Sequence, residues 1–240
     1  MRIEKFPANT RGFVNHGWLQ ANYSFSFANF YDPNRTNFGA LRVLNDDLIA
    51  PSMGFSTHPH QNMEIITIPL SGVLKHKDNT SNEWLYVHPN EVQVMSAGTG
   101  IYHSEMNGTT DKYLSLFQIW IIPNQEGVSP RYNQKDFNVE DRKNKLQVLV
   151  SSIDDDNFDG LKVHQNAKLS RIDLDENNEF IYKLSSENNG VYVMNISGEI
   201  SISDQVFSDR DAVGISETTS FKTKAKTTSE LLFIEVPMTF

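Results

Sequence analysis

Two residue pairs carry most of the chemistry this sequence offers. His58 and His60 are separated by one residue, and His103 and Glu105 repeat that spacing after the turn-rich stretch Ser96-Ala97-Gly98-Thr99-Gly100. On a β-strand, side chains two residues apart project from one face, roughly 6 to 7 Å apart along the chain, so both imidazoles of the first pair can reach one ion. A second strand laid beside the first completes a set of three imidazoles and one carboxylate, which suits a divalent first-row transition metal. The same residues also suit the wet face of a barrel or a group of hydrogen-bonded core histidines, and spacing alone leaves the two level. Their neighbours favour the metal. Pro59 cannot donate to a central ladder and belongs at an edge or bulge, while Gly98 and Gly100 allow a sharp turn that aims His103 inward.

The elements that must position these pairs are short strands. Segments 92–95, 114–122, 146–150, 191–202 and 231–236 alternate or run apolar over strand lengths, and Asp32-Pro33-Asn34, Asp78-Asn79, His88-Pro89-Asn90 and Glu187-Asn188-Asn189-Gly190 punctuate them. No stretch sustains a helical apolar stripe, so an all-β barrel or sandwich with few short helices is expected. The 240 residues, 38% of them hydrophobic, suffice for one large core or two small ones. Leu70-Ser71-Gly72-Val73-Leu74 is echoed 126 residues later by Ile196-Ser197-Gly198-Glu199-Ile200, which favours two related barrels in tandem, although Ser-Gly turns are common. The charged stretch 133–145 suits a surface connector, giving a first domain over 1–135, a connector over 136–145 and a second domain over 146–240.

Composition narrows the partners. Lys plus Arg number 21 against 30 Asp plus Glu, a net charge of −9, so neither nucleic acid nor a membrane is expected as a direct partner. With no cysteine there are no disulfides, thiolate nucleophiles or Cys-bearing zinc sites, and any metal must be held by His and carboxylates. No apolar segment follows Met1-Arg2-Ile3-Glu4-Lys5, and the apolar runs 119–122 and 231–234 are far too short to span a bilayer, so a soluble, cytoplasmic protein is expected.

Three longer stretches carry a resemblance. The run from Gly54-Phe55-Ser56-Thr57-His58-Pro59-His60 through Gln61-Asn62-Met63-Glu64-Ile65-Ile66, the run Gly72-Val73-Leu74-Lys75-His76-Lys77-Asp78, and the run from Val92-Gln93-Val94-Met95-Ser96 to Gly100-Ile101-Tyr102-His103-Ser104-Glu105 resemble the pirin family of bicupins. The likeness extends upstream through Ser24-Phe25-Ser26-Phe27-Ala28-Asn29-Phe30-Tyr31-Asp32-Pro33 and Phe38-Gly39-Ala40-Leu41-Arg42-Val43, covers most of residues 11 to 137, and continues more faintly through Val163-His164-Gln165-Asn166-Ala167 and Leu231-Leu232-Phe233. It implies two tandem cupin barrels of the double-stranded β-helix (jelly-roll) type, with iron in the first held by His58, His60, His103 and Glu105. Pirin-like proteins include bacterial quercetin 2,3-dioxygenases and eukaryotic iron-containing, redox-sensitive transcriptional coregulators. Membership alone therefore does not choose between them. Glu64 matches a general cupin ligand position, but in pirin-like members the carboxylate comes from the position of Glu105, which leaves Glu64 a supporting or structural role.

The resemblance implies a metal-dependent site in which Fe(II) is the expected ion and Mn, Ni, Cu and Zn are alternatives that the same donors accept. As an enzyme the chain takes a small aromatic enol such as quercetin together with dioxygen, with Glu105 doubling as the proton acceptor. As a regulator it carries a redox-sensing iron and binds a protein partner. The second half has no histidine after His164, and shifting the four ligand positions by 126 residues gives Leu184, Ser186, Ser229 and Leu231, so the second barrel is expected to be metal-free. His16, His88 and His164 read as surface or locally bonded residues, His76 as a residue that orients a loop or bonds a ligand, and Asp154-Asp155-Asp156 as a solvated loop rather than a calcium site. Tyr23, Phe25, Phe27, Phe30 and Tyr31 read first as the core of a strand and second as a substrate wall.

Overall fold

The computed structural model describes residues 1–81 and 83–240. Strands are numbered in chain order. One large sheet runs β12 (Arg131–Asp136), β9 (Glu91–Ser96), β6 (Glu64–Ser71), β11 (Leu114–Ile121), β4 (Leu41–Ile49), β3 (Leu19–Tyr23), β2 (Gly12–Asn15). The other runs β1 (Arg2–Phe6), β20 (Ala212–Ser216), β17 (Asn189–Ser197), β22 (Ser229–Pro237), β15 (Lys168–Leu174), β13 (Gln147–Ser152), β14 (Leu161–Val163). A small sheet faces each: β5 (Gly54–His60), β10 (Ile101–Asn107), β7 (Leu74–Asp78), β8 (Leu85–Val87) in the first half, and β16 (Glu179–Lys183), β21 (Ser220–Ala225), β18 (Ile200–Ile202), β19 (Gln205–Phe207) in the second. Helical structure among the described residues is confined to two short 3₁₀ segments, Ala8–Thr10 and Val139–Arg142.

The two halves repeat one strand order, β9-β6-β11-β4-β3 against β20-β17-β22-β15-β13. The Ser-Gly echo falls at the same place in each: β6 ends at Ser71 and β17 at Ser197, and the glycines that follow adopt φ of +80° and +89°. That left-handed backbone is open to glycine at little steric cost. The chain therefore forms an all-β pair of jelly-roll barrels.

The large sheets lie back to back. Ile66, Ile68, Val92, Val94, Phe117, Ile119 and Ile121 of the first share one buried cluster with Leu169, Tyr192, Met194, Leu232, Ile234 and Val236 of the second. Both faces of β6 and β17 are consequently covered, which explains why these strands are almost uniformly buried instead of alternating.

Two expectations need correction. Strand β1 does not join the first barrel, since Arg2–Phe6 pairs antiparallel with Ala212–Ser216 in the second large sheet. The corresponding edge beside β9 is taken by β12, and Phe6 anchors β1 by packing 5.0 Å from Tyr192 in the shared core. A boundary that assigns residues 2–6 to the first half by sequence position thus misses their pairing. The aromatic run is also not one strand: β3 ends at Tyr23, Phe25 enters the shared core, Phe27 and Phe30 form an isolated bridge, and Tyr31 is 75% exposed.

The barrels differ inside. Tyr182 of β16 stacks 5.5 Å from Phe221 of β21 and 5.0 Å from Phe233, and with Ile172, Val191, Ile200 and Ile215 these rings fill the second barrel. β16 and β21 correspond to β5 and β10, so a constant shift of 126 residues misplaces the register. Leu184 and Ser186 lie beyond β16, and Ser229 and Leu231 belong to β22, because the loops of the two halves differ in length.

Candidate metal centre

Strand β10 alternates cleanly, placing Ile101, His103, Glu105 and Asn107 inside and Tyr102, Ser104 and Met106 on the other face. Its neighbour β5 is the edge strand of the small sheet, as Pro59 requires, and pairs His58 directly opposite His103 and His60 opposite Ile101. A bulge between His103 and Glu105 shifts the register, and there Gly54 comes so close to the Glu105 carbonyl that a Cβ would collide with it. Gly98, at φ +46°, turns the chain into β10 against the carbonyl of Val128, where a side chain would likewise not fit.

These strands bring three imidazoles together. Ring centroids lie 4.9 Å apart for His58 and His60, 4.4 Å for His58 and His103, and 4.8 Å for His60 and His103. One nitrogen of each lies within 4.8 Å of those of the other two. His58 uses Nδ1 on the carbonyl of Ser56 at 2.8 Å, which leaves Nε2 free. His103 is 2% exposed, yet neither of its ring nitrogens has a hydrogen-bond partner. A buried imidazole with both nitrogens unpaired is costly unless something coordinates one of them, and the donor chemistry here fits a divalent transition metal. Glu105 stands with His103 and His76 in a second such group that shares His103, rather than in one cluster with all three histidines.

Glu105 is fixed from both sides. Gln93 Nε2 donates to Oε1 at 2.8 Å and Gln118 Nε2 to Oε2 at 2.8 Å, with the Thr67 hydroxyl 3.4 Å from Oε1. Behind it His76 Nδ1 lies 3.8 Å away, its Nε2 2.8 Å from Asp78 Oδ2 and its ring stacked 4.6 Å from Tyr132. His76 thus sits in mid-strand, tied to a carboxylate neighbour instead of orienting a loop. Burial raises the Glu105 pKa, but His76, His103 and Gln93 outweigh it and bring it down to about 2. Burial, aided by neighbouring histidines, lowers His60 and His103 to about 4 against the pull of Glu105. Both imidazoles are therefore neutral at pH 7, the form that ligates.

A pH dependence of the metal-free fold follows. His60 and His103 bind protons more readily unfolded than folded, so stability falls as pH drops from their ordinary value near 6.5 toward 4. Glu105 and Asp78, both lowered to about 2, add a further loss as pH drops below the ordinary carboxylate range. His76, whose pKa is raised by Asp78 and Glu105 against burial, acts oppositely and loses its contribution as pH rises. Asp47, raised to about 8, and Glu64, also raised, both chiefly by burial, gain stability as pH falls and oppose this loss, so the difference between variants carries the test. In excess chelator the melting temperature of a His103→Ala variant should respond less unfavourably than that of the wild type to a fall from pH 7 to pH 4, and identical profiles would contradict the assignment.

The imidazoles open onto a cavity of about 450 Å³ walled by Trp18, Tyr23, Phe27, Phe55 and Trp120. Trp120 meets His60 edge-on at 4.8 Å. Two rings of the aromatic run, Tyr23 and Phe27, thus serve as cavity wall. Glu64 points the other way, into the seam between the barrels, where Ser96 Oγ donates to Oε2 at 2.7 Å and His164 Nδ1 lies 3.2 Å from Oε1. His164 therefore corrects its expected surface role by linking the barrels, whereas His16 and His88 are exposed. The aspartate run lies in the turn between β13 and β14.

Comparison with known proteins agrees with this architecture. A family model described as Pirin matches residues 7–121, and one described as Quercetinase C-terminal cupin domain matches 148–236. A quercetin 2,3-dioxygenase of Escherichia coli (strain K12) is 41% identical over 231 residues, 96% of each chain. The chain belongs to the pirin family. A Pirin-like protein of Caulobacter vibrioides is 38% identical over 233 residues, 97% of this chain and 99% of that relative. The crystal structure of the bacterial pirin YhhW from Escherichia coli in complex with nickel(II) superposes with a TM-score of 0.91 at 39% identity, covering 98% of this chain and 99% of that one.

Within this pirin-family barrel, Gln93, Gln118 and Thr67, which hold Glu105, escaped notice in the sequence. A signal was present: Gln93 and Gln118 are isolated amides inside the apolar strands 92–95 and 114–122, where a polar side chain must find a buried partner.

Proposed function

We propose that this chain is a metal-dependent dioxygenase of flavonol-like enols such as quercetin, with His58, His60, His103 and Glu105 holding one divalent metal, iron(II) first among Fe, Mn, Ni, Cu and Zn. The observation that carries the reading is the pair of unpaired His103 nitrogens, buried among His58 and His60 at the floor of an aromatic-walled cavity. The name of the Escherichia coli relative supports the substrate class, and the nickel complex of the related structure supports a divalent metal.

When bound, the metal supplies Lewis-acid polarisation of an enol oxygen and a path for reaction with dioxygen. Trp18, Phe27, Phe55 and Trp120 receive a planar aromatic body and exclude water from it. Glu105 is ionised at neutral pH, and the lone pairs that the glutamine amides leave open are available to the metal and to the enol proton. Gln93 and Gln118 keep that carboxylate in one orientation while it exchanges the proton.

Glu105→Gln is expected to retain near-stoichiometric metal on the three histidines while losing at least about a hundredfold in turnover, the usual scale of a lost acid–base group. Undiminished turnover in that variant removes the proton role from Glu105. The activity itself is tested with ¹⁸O-labelled dioxygen. A dioxygenase consumes one dioxygen per flavonol without added reductant and places both labelled atoms in the products. Bleaching of quercetin without label, or only with a reductant, contradicts the proposal.

A further inference from the structure

The metal-candidate residues come from the small sheet, but the large sheet also sends polar groups into the same cavity. Asn45 and Asp47 stand two residues apart on β4, hence on one face, and both line the cavity. Asn45 sits between Tyr23 of β3 and Gln118 of β11, and Asp47 between Ala21 and Leu116. They are 3% and 5% exposed, and Oδ1 of each lacks a hydrogen-bond partner. The residue between them shows the contrast. Asp46 faces the opposite side of the sheet and pairs with Arg11 at 3.2 Å and Arg210 at 3.7 Å. A buried carboxyl and a buried amide left unpaired side by side cost stability that an apolar pair would avoid, so their presence calls for an occupant.

We infer that Asn45 and Asp47 form a second polar subsite that binds an uncharged hydroxyl on the substrate, distinct from the enol oxygen directed to the histidines. The inference rests on the flavonol-type reading of this cavity. It adds that the preferred enols carry a further phenolic hydroxyl. A hydroxyl can donate to either unpaired Oδ1, and it brings no charge. Burial, then Asp46 and Glu105, raise the pKa of Asp47 to about 8, so its carboxyl also has a proton to donate back to the same hydroxyl. Tyr23 beside Asn45 and Ala21 beside Asp47 also line the cavity and supply aromatic and aliphatic contact.

The test is anaerobic binding to the metal-loaded full chain, read by quenching of tryptophan fluorescence, with quercetin compared with 3-hydroxyflavone, which retains the enol but lacks the other hydroxyls. Quercetin is expected to bind at least tenfold more tightly, about 1.4 kcal/mol. Asp47→Leu should remove most of that preference by weakening quercetin about tenfold while changing 3-hydroxyflavone less than twofold, with metal content unchanged. Asp47→Asn, which keeps shape and hydrogen bonding, should hold quercetin within about threefold of the wild type. Equal affinity of the two flavonols for the wild type overturns the subsite, even if the leucine variant does not fold, and so does an equal loss for both in Asp47→Leu. Either result leaves the flavonol reading standing. If neither flavonol binds the metal-loaded wild type, the flavonol reading fails and the inferred subsite falls with it.

Discussion

Replacing His103 by alanine is expected to weaken metal binding by well over a hundredfold and to abolish metal-dependent turnover. Loss of a residue that only orients a metal ligand costs roughly ten- to a hundredfold in affinity, and His103 is a proposed ligand in its own right. His103 also joins the two candidate groups, standing with His58 and His60 on one side and with His76 and Glu105 on the other. A distinctive result is expected in the metal-free state. Both nitrogens of His103 are buried and unpaired, so truncating the ring removes no hydrogen bond, and melting in chelator should change little. The stabilisation that added metal gives the wild type should disappear. Titration with Fe(II) or Ni(II), followed by metal analysis and thermal melting, checks both. If the variant still melts at a metal-raised temperature, the ion is held elsewhere. Gln118→Leu provides the graded comparison, since it frees Oε2 of Glu105 without removing a ligand, and its affinity should fall between those of wild type and His103→Ala.

Tyr192→Ala is expected to cost about 3 to 5 kcal/mol, the range for deleting a buried aromatic ring. Tyr192 is fully buried in the core that the barrels share, with Phe6 at 5.0 Å, Phe25 at 5.5 Å and Phe38 at 5.8 Å around it. For a chain of this size such a loss lowers the melting temperature on the order of 10 °C. Because Phe6 belongs to β1, Phe25 and Phe38 follow β3, and Tyr192 belongs to β17, the cavity should destabilise both barrels together. Tyr192→Phe removes only a buried hydroxyl beside Ser24 and should change stability by no more than about 1.5 kcal/mol, the usual net worth of one hydrogen bond. Calorimetry of the two variants checks this. Separate transitions for the barrels, with only one shifted in Tyr192→Ala, would contradict a single shared core.

The sequence made the site's strands legible because period two is a strict rule. His58 with His60, and His103 with Glu105, can only share a face if they lie on strands, and β5 and β10 place them so. Pro59 was readable as an edge residue because a missing N–H cannot serve a central ladder. Other features were not local. β1 crosses to the second large sheet because that sheet has an edge beside β20, and nothing in Arg2-Ile3-Glu4-Lys5-Phe6 announces a partner more than two hundred residues away. His164 reaches Glu64 across the seam between barrels, a contact set by docking rather than by neighbouring residues. The aromatic run looked like a strand because its rings recur at strand spacing, yet Phe27 and Phe30 hydrogen-bond to each other across a tight turn. Within Asp46-Asp47 the pleat sets one aspartate against Arg11 and Arg210 while the other faces the cavity, a division that follows only from which face of β4 turns inward.

Oxygen uptake by Fe(II)-reconstituted protein given quercetin, recorded beside a His60→Ala variant treated identically, tests the central claim most directly. The variant accounts for oxidation by loosely held iron, because it lacks one of the three imidazoles at the cavity floor. The account predicts catalytic uptake by the wild type that is absent in the variant. Uptake equal in both proteins, with iron bound stoichiometrically only to the wild type, would contradict it and shift the weight to a redox-sensing iron protein.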